Sequence, residues 1–135
     1  MKRLMLDTNL ASYIIKGTPP QARQRLAGLP PDSIVISAVT EGELLYGLAR
    51  KGYPAAFKNL IQEFLLRLQI LPWDSEAARV YADLRASCAA SGIVLGALDM
   101  MIAAHAVATK ATLVTHDKTF SLIPGEVLAV EDWVN

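Results

Sequence analysis

Two hydrophobic rhythms alternate along the chain. Short apolar runs, several of them β-branched, are separated by longer segments whose apolar positions recur at helical spacing. The first predicted strand is Arg3–Leu6, broken at Asp7-Thr8-Asn9. A short helix follows, stopped by Gly17 and the Pro19-Pro20 pair, and Pro20–Ala27 opens a second with proline in its first turn. Pro30-Pro31-Asp32 is a turn into strand Ile34–Ser37. Helices are predicted from Thr40 to Lys51, ending at Gly52, and from Pro54 to Leu68, with Phe57, Leu60, Ile61, Phe64, Leu65 and Leu68 on one stripe. Ile70-Leu71 is a short third strand. Asp74 or Ser75 caps a helix that runs to Ser91 and stops at Gly92. The last helix spans Leu98 to Thr109, the fourth strand Thr112–Thr115, and a fifth Val127–Val130.

Strands alternating with helices predict an α/β fold, a three-layer α/β/α sandwich around a parallel sheet of four to five strands. No repeat or long linker divides residues 1–135, so a single domain is expected. An order of 3-2-1-4-5 would set the first and fourth strands side by side at a switch point, where ligands bind in open α/β sheets.

Composition narrows this only slightly. Hydrophobic residues make up 53% and charged residues 19%, an ordinary globular balance. Lys+Arg and Asp+Glu both number 13, which argues against a broad basic face. With four carboxylates committed to a cation, however, nine would face 13 basic residues. Cys88 is the single cysteine, so no disulfide forms within the chain, and its place in a helix suits a buried, inert thiol. The basic start reaches Asp7 too soon for a signal-peptide core. The apolar stretch Ile93–Ala108 is broken by Asp99 and His105, so no membrane span is expected, and the cytoplasm is the expected location.

Four carboxylates carry the candidate chemistry. Asp7 follows the first strand, an address for function or for a helix cap, with Thr8 and Asn9 as rival caps. Glu43 lies two residues from Glu41, about 200° around a helix, so only one of them faces a given site. Glu43 shares its face with Tyr46 and Gly47, and the glycine leaves open space beside it; the alternative is a capping box over Thr40–Glu43. Asp99 sits in the most apolar helix, ALDMMIAAHAVA, where a carboxylate must be paired, protonated, metal-bound or placed as a cap. Asp117 follows the fourth strand, as a site residue or a solvated turn aspartate. Four such charges on one sheet edge would repel, and Mg²⁺ or Mn²⁺ with oxygen ligands is the natural remedy. His105 and His116 have neither the spacing nor the cysteine partner of a zinc site.

These motifs resemble those of the PIN-domain nucleases, and among them the VapC-type toxins of toxin–antitoxin pairs. The resemblance rests on Met5–Asn9, Ile36–Gly47, Leu98–His105 and Ala111–Asp117, in order, with a similar tail at Glu131-Asp132-Trp133. It implies an acidic set at Asp7, Glu43, Asp99 and Asp117, with Thr115 beside the metal and Asn9 as a polar neighbour of the first aspartate. Thr8 is counted with these supporting polar residues. His116 departs from the asparagine of many relatives, and several lack the following aspartate, which makes Asp117 the weakest carry-over.

The resemblance further implies a Mg²⁺-dependent endoribonuclease acting on tRNA or other structured RNA, and a homodimer silenced by a VapB-type antitoxin. Asp7, Asp99 and Asp117 would hold one or two Mg²⁺, with Glu43 ligating or orienting the attacking water, leaving 5′-phosphate and 3′-hydroxyl ends. Lys16, Arg50, Lys51 and Lys118 are candidates to position RNA. Two rivals remain: a catalytically silent interaction module, and a phosphatase-type enzyme using Asp7 as nucleophile, although that pattern wants aspartate where Asn9 stands. Tyr13, Tyr46, Phe57, Trp73 and Trp133 are scattered and read as packing rather than base-stacking groups. The helices between Asp7 and Leu29 and between Pro54 and Leu68 are candidate dimer or antitoxin surfaces.

Overall fold

The computed structural model describes residues 2–135. Strand β1 (Leu4–Leu6) leads into helix α1 (Thr8–Lys16) and helix α2 (Pro20–Ala27). Strand β2 (Ile34–Ser37) feeds α3 (Ala38–Arg50) and α4 (Ala55–Arg67), followed by β3 (Gln69–Leu71). Helices α5 (Ser75–Ala90) and α6 (Ala97–Ala108) precede β4 (Thr112–Val114), and β5 (Val130–Glu131) closes the sheet. The five strands are all parallel and run in the order β3-β2-β1-β4-β5, as expected.

Alternation along the strands builds two cores. Leu4, Leu6, Ile34, Ile36 and Val114 face one layer, where they meet Leu10, Ile14, Leu44, Leu48, Ile61 and Phe64 of α1, α3 and α4. Met5, Val35 and Leu113 face the other, packed on Leu84, Met100, Ile102 and Ala103 of α5 and α6. Cys88 is buried in this second core. Between α1 and α2 the chain reverses through Gly17, whose φ of +73° is left-handed and closes α1 by a bond to Tyr13 O. Asp74 caps α5 through Ala77 N. Among the described residues no helix is long and apolar enough to cross a membrane.

Most boundaries fall within a residue of the sequence reading, and three of the shifts have a visible cause. Helix α3 starts at Ala38 because Ser37 Oγ accepts from Val39 N and caps it. Thr40 is therefore inside the first turn, and the capping box over Thr40–Glu43 does not form. β4 ends at Val114, where the chain turns so that the Thr115 hydroxyl bonds to a carboxylate and the Asp117 amide. The fifth strand is Val130–Glu131, since Val127 and Leu128 bond back to Pro124 in a turn.

Candidate active site at the sheet edge

Pairing of Leu6 with Val114 places Asp7 and Thr115 side by side at the carboxyl ends of β1 and β4. Asp7 N donates to Val114 O at 3.0 Å, locking the two strand ends together. The Asp7 carboxylate is 3% exposed and both oxygens are engaged. Oδ1 accepts from Leu10 N at 2.8 Å, capping α1, so the cap is Asp7 and not Thr8 or Asn9. Oδ2 accepts from Thr115 Oγ1 at 2.5 Å, a short charge-assisted bond. The same Thr115 oxygen accepts from Asp117 N at 3.0 Å. A single hydroxyl thus ties the backbone of Asp117 to the side chain of Asp7.

The helices bring the other two carboxylates. On α3, Glu43 Oε1 accepts from Thr8 Oγ1 at 2.5 Å, and the Thr8 oxygen lies 3.3 Å from Thr40 Oγ1. Helix geometry separated Glu43 from Glu41 correctly: Glu43 lines the groove between α1 and α3 with Gly47 and Tyr46, and Glu41 does not. Asp99 stands in the first turn of α6, half-buried, with no side-chain bond to the helix end. The expectation of a carboxylate sunk in apolar surroundings fits Asp7 instead, because α6 begins only at Ala97 and its opening turn faces the sheet edge. Asp117 is exposed, and its Oδ1 accepts from Thr119 N at 2.9 Å, capping the short 3-10 turn Lys118–Leu122.

Electrostatics joins the four groups into one set. Burial, opposed by the bonds from Thr115 and Leu10 and assisted by the charges of Asp99 and Asp117, raises Asp7 from the ordinary 3.8 to about 6. Burial raises Asp99, with the charges of Glu43 and Asp117 adding to it. Asp117 is lowered, held ionised by its bonds to Thr119. Among the described residues no basic side chain forms an ion pair with any of the four.

No three metal-ligating side chains among the described residues already converge on one point. The donor set nonetheless fits a hard divalent cation in its chemistry: carboxylate oxygens that repel one another, with no basic partner. Closing on an ion would need rotation of the exposed Asp117 and the half-buried Asp99 and Glu43, while Asp7 is already fixed.

Other sequence candidates fall outside this network. Asn9 is exposed and makes no side-chain hydrogen bond among the described residues. Lys16, Arg50, Lys51 and Lys118 are exposed. His116 turns to the C-terminal segment, with Nδ1 3.0 Å from Asp132 Oδ2. His105 is buried with Nδ1 2.8 Å from Ser37 Oγ, and burial lowers its pKa, so it stays neutral. Trp133 is buried and Trp73 donates to Met101 O, both packing as expected. Tyr46, expected to pack, is instead 66% exposed. Sequence reasoning missed Thr40, fully buried beside Thr8, and Ser37, whose position at the end of a β-branched strand was the available signal.

Comparison with known proteins places this geometry. The PIN domain family matches residues 4–126. The tRNA(fMet)-specific endonuclease VapC of Salmonella typhimurium is 35% identical over 98% of this chain and 99% of its own length. Ribonuclease VapC2 of Rickettsia felis is 34% identical over 96% of each chain. Among solved structures, DNA-bound VapBC from Salmonella typhimurium superposes with a TM-score of 0.89 at 34% identity, covering 98% of this chain and 99% of that one. VapBC2 from Rickettsia felis bound to a promoter DNA fragment gives 0.87 at 32% identity, covering 96% and 98%. Matched by the PIN family over residues 4–126 and by VapC relatives over 96–98% of its length, the chain belongs to the PIN-domain family, among its VapC-type members.

Proposed function

We propose that the chain is a Mg²⁺-dependent endoribonuclease, with Mn²⁺ able to substitute, and the toxin of a type II toxin–antitoxin pair that cleaves tRNA or other structured RNA and arrests growth. One observation carries the reading: the adjacent ends of β1 and β4 bring Asp7 and Asp117 together, with Glu43 and Asp99 on neighbouring helices and no ion-paired base on any of the four among the described residues. The curated relatives named as ribonucleases support the reaction class, and the one named for tRNA(fMet) supports tRNA as the substrate. The VapBC complexes support a VapB-type antitoxin partner. A homodimer and a cytoplasmic location complete the proposal.

Asp7, Asp99 and Asp117 are the residues that would hold the cation. When bound, it supplies Lewis acidity that lowers the pKa of water and stabilises charge building on a phosphodiester. Thr115 fixes Asp7 Oδ2, and Leu10 N fixes Oδ1, so the carboxylate is oriented before any ligand arrives. Thr8 occupies Glu43 Oε1, leaving Oε2 to accept a hydrogen bond from the attacking water. In-line attack leaves 5′-phosphate and 3′-hydroxyl ends. Asn9, standing where the phosphatase pattern wants an aspartate, weighs against Asp7 as the nucleophile of a phosphatase.

Expression without its partner should arrest growth, and sequencing of RNA from the arrested cells should reveal new 5′-phosphate ends at one site. Folded Asp7→Asn and Asp99→Asn variants should produce neither. Arrest that survives in both variants, or that comes with no new RNA end, would overturn the proposal.

A further inference from the structure

Beside Glu43 a groove of about 610 Å³ runs between α1, α3 and the start of α4. One end holds Thr8 and Glu43, and the other is bounded by Lys16, Arg50 and Lys51. None of these three cations forms an ion pair among the described residues. Lys51 is held over the Phe57 ring, its Nζ 4.8 Å from the centroid, so that one charge sits at a fixed place on the groove rim. Tyr46 presents an exposed aromatic face along the same wall. The groove thus passes from acidic to basic within α3, and Arg50 lies roughly 10 Å along the helix axis from Glu43.

The groove floor supplies an independent observation. Gly47 stands one turn beyond Glu43 in mid-helix, where glycine destabilises a helix relative to alanine. A Cβ built there would meet nothing within 4 Å, so no neighbouring side chain demands the glycine. Gly42, also on the groove, is equally unconstrained. Neither has a left-handed backbone to justify it. Bare helix backbone here leaves the groove wall open beside Glu43, with room for a strand to lie against α3.

We propose that this groove is a substrate subsite: it receives the unpaired RNA strand flanking the bond to be cut. Phosphates about three stacked nucleotides from that bond reach Arg50 and Lys51, and a base stacks on Tyr46. The inference rests on the ribonuclease reading and deepens it. RNA is favoured over a peptide because three cations without ion-pair partners among the described residues gather at the end away from Glu43, where a strand leaving the acidic end brings its next phosphates. The strand also needs an aromatic platform and runs directly into the acidic end.

The test compares oligonucleotides cut at the mapped position: a short one ending next to the cut, and others extended on either side. Wild type should gain in kcat/KM when the strand is extended on one side. The Arg50→Ala/Lys51→Ala pair should lose about 10-fold or more of kcat/KM on that extended strand, yet cut the short one within about 2-fold of wild type. Its log affinity should fall less steeply with log salt, the slope shallower by about 1.4 for two lost phosphate contacts. Gly47→Leu should show the same selective loss with a melting temperature unchanged or higher, the opposite of a packing defect. Equal cutting of extended strands by all three proteins would overturn the proposal. So would equal impairment on short and long strands, or RNA cutting left intact while a partner peptide no longer binds. A wild type that cuts no RNA of any length would instead fail the ribonuclease reading itself, and the subsite with it.

Discussion

Asp7 and Asp117 hold equivalent addresses at the carboxyl ends of neighbouring strands, yet their surroundings are opposite. Asp7 is 3% exposed, has both oxygens engaged and is raised to about 6. Asp117 is exposed and is lowered by its own cap to the next turn. Topology therefore delivers two carboxylates to one place, while solvation divides their work. Asp7 is a buried, energetically costly anchor, and Asp117 is a solvated second arm. The cost at Asp7 is what a cation would relieve.

The largest effect that could break this contrast is on turnover. On the proposed reading, Asp7→Asn should lower RNA cleavage by about 10³-fold or more, as loss of a cation ligand would remove several kcal/mol of transition-state stabilisation. Asp117→Asn should cost less, about 10- to 100-fold, measured as kcat/KM on one RNA. Equal losses would erase the distinction.

Stability should move the other way. A rise from 3.8 to about 6 means that folded Asp7 holds its proton more tightly than the unfolded chain does. Its contribution is fully favourable below pH 3.8 and is lost as pH rises through about 6, a change of about 3 kcal/mol. Metal-free Asp7→Asn should consequently be more stable than wild type at pH 7 and converge on it near pH 4. Denaturant melts at the two pH values check this. Asp117→Ala should instead lose about 1 kcal/mol with the cap.

If Asp7 holds the proposed cation, the proton and the cation compete for it, which gives a sharper measurement. Mg²⁺ or Mn²⁺ affinity, followed by calorimetry, should weaken about tenfold for each pH unit below about 6 and level off above it. Thr115→Val removes a bond that lowers the Asp7 pKa, so that break should move to higher pH. The smallest effect is expected at Thr8→Val, a few-fold loss in kcat with little change in stability, since Glu43 is only half-buried.

Much of this was legible from residue pattern. The alternation of short apolar runs with helices gave the layers, the order 3-2-1-4-5 entered as the one that sets the first and fourth strands side by side, and strand ends at Asp7 and Asp117 marked the candidate site. Helix angles chose Glu43 over Glu41. Solvation was less legible. An apolar helix suggested that Asp99 would be deeply buried, but hydropathy does not say which helix end opens on the sheet edge. Periodicity likewise missed that Ser37 caps α3 three residues ahead of Thr40. The Ser37–His105 contact spans 68 residues of sequence and depends on how β2 and α6 pack. Such cross-element bonds have no local signature.

The most direct test of the account is cleavage of RNA by the purified, partner-free and demetallated chain as Mg²⁺ is titrated in. The account predicts no cleavage without the ion and saturable cleavage with it. It also predicts near-complete loss in an Asp7→Asn variant whose metal-free melting temperature is at or above that of wild type. Cleavage that ignores Mg²⁺, or that persists in that folded variant, would contradict it.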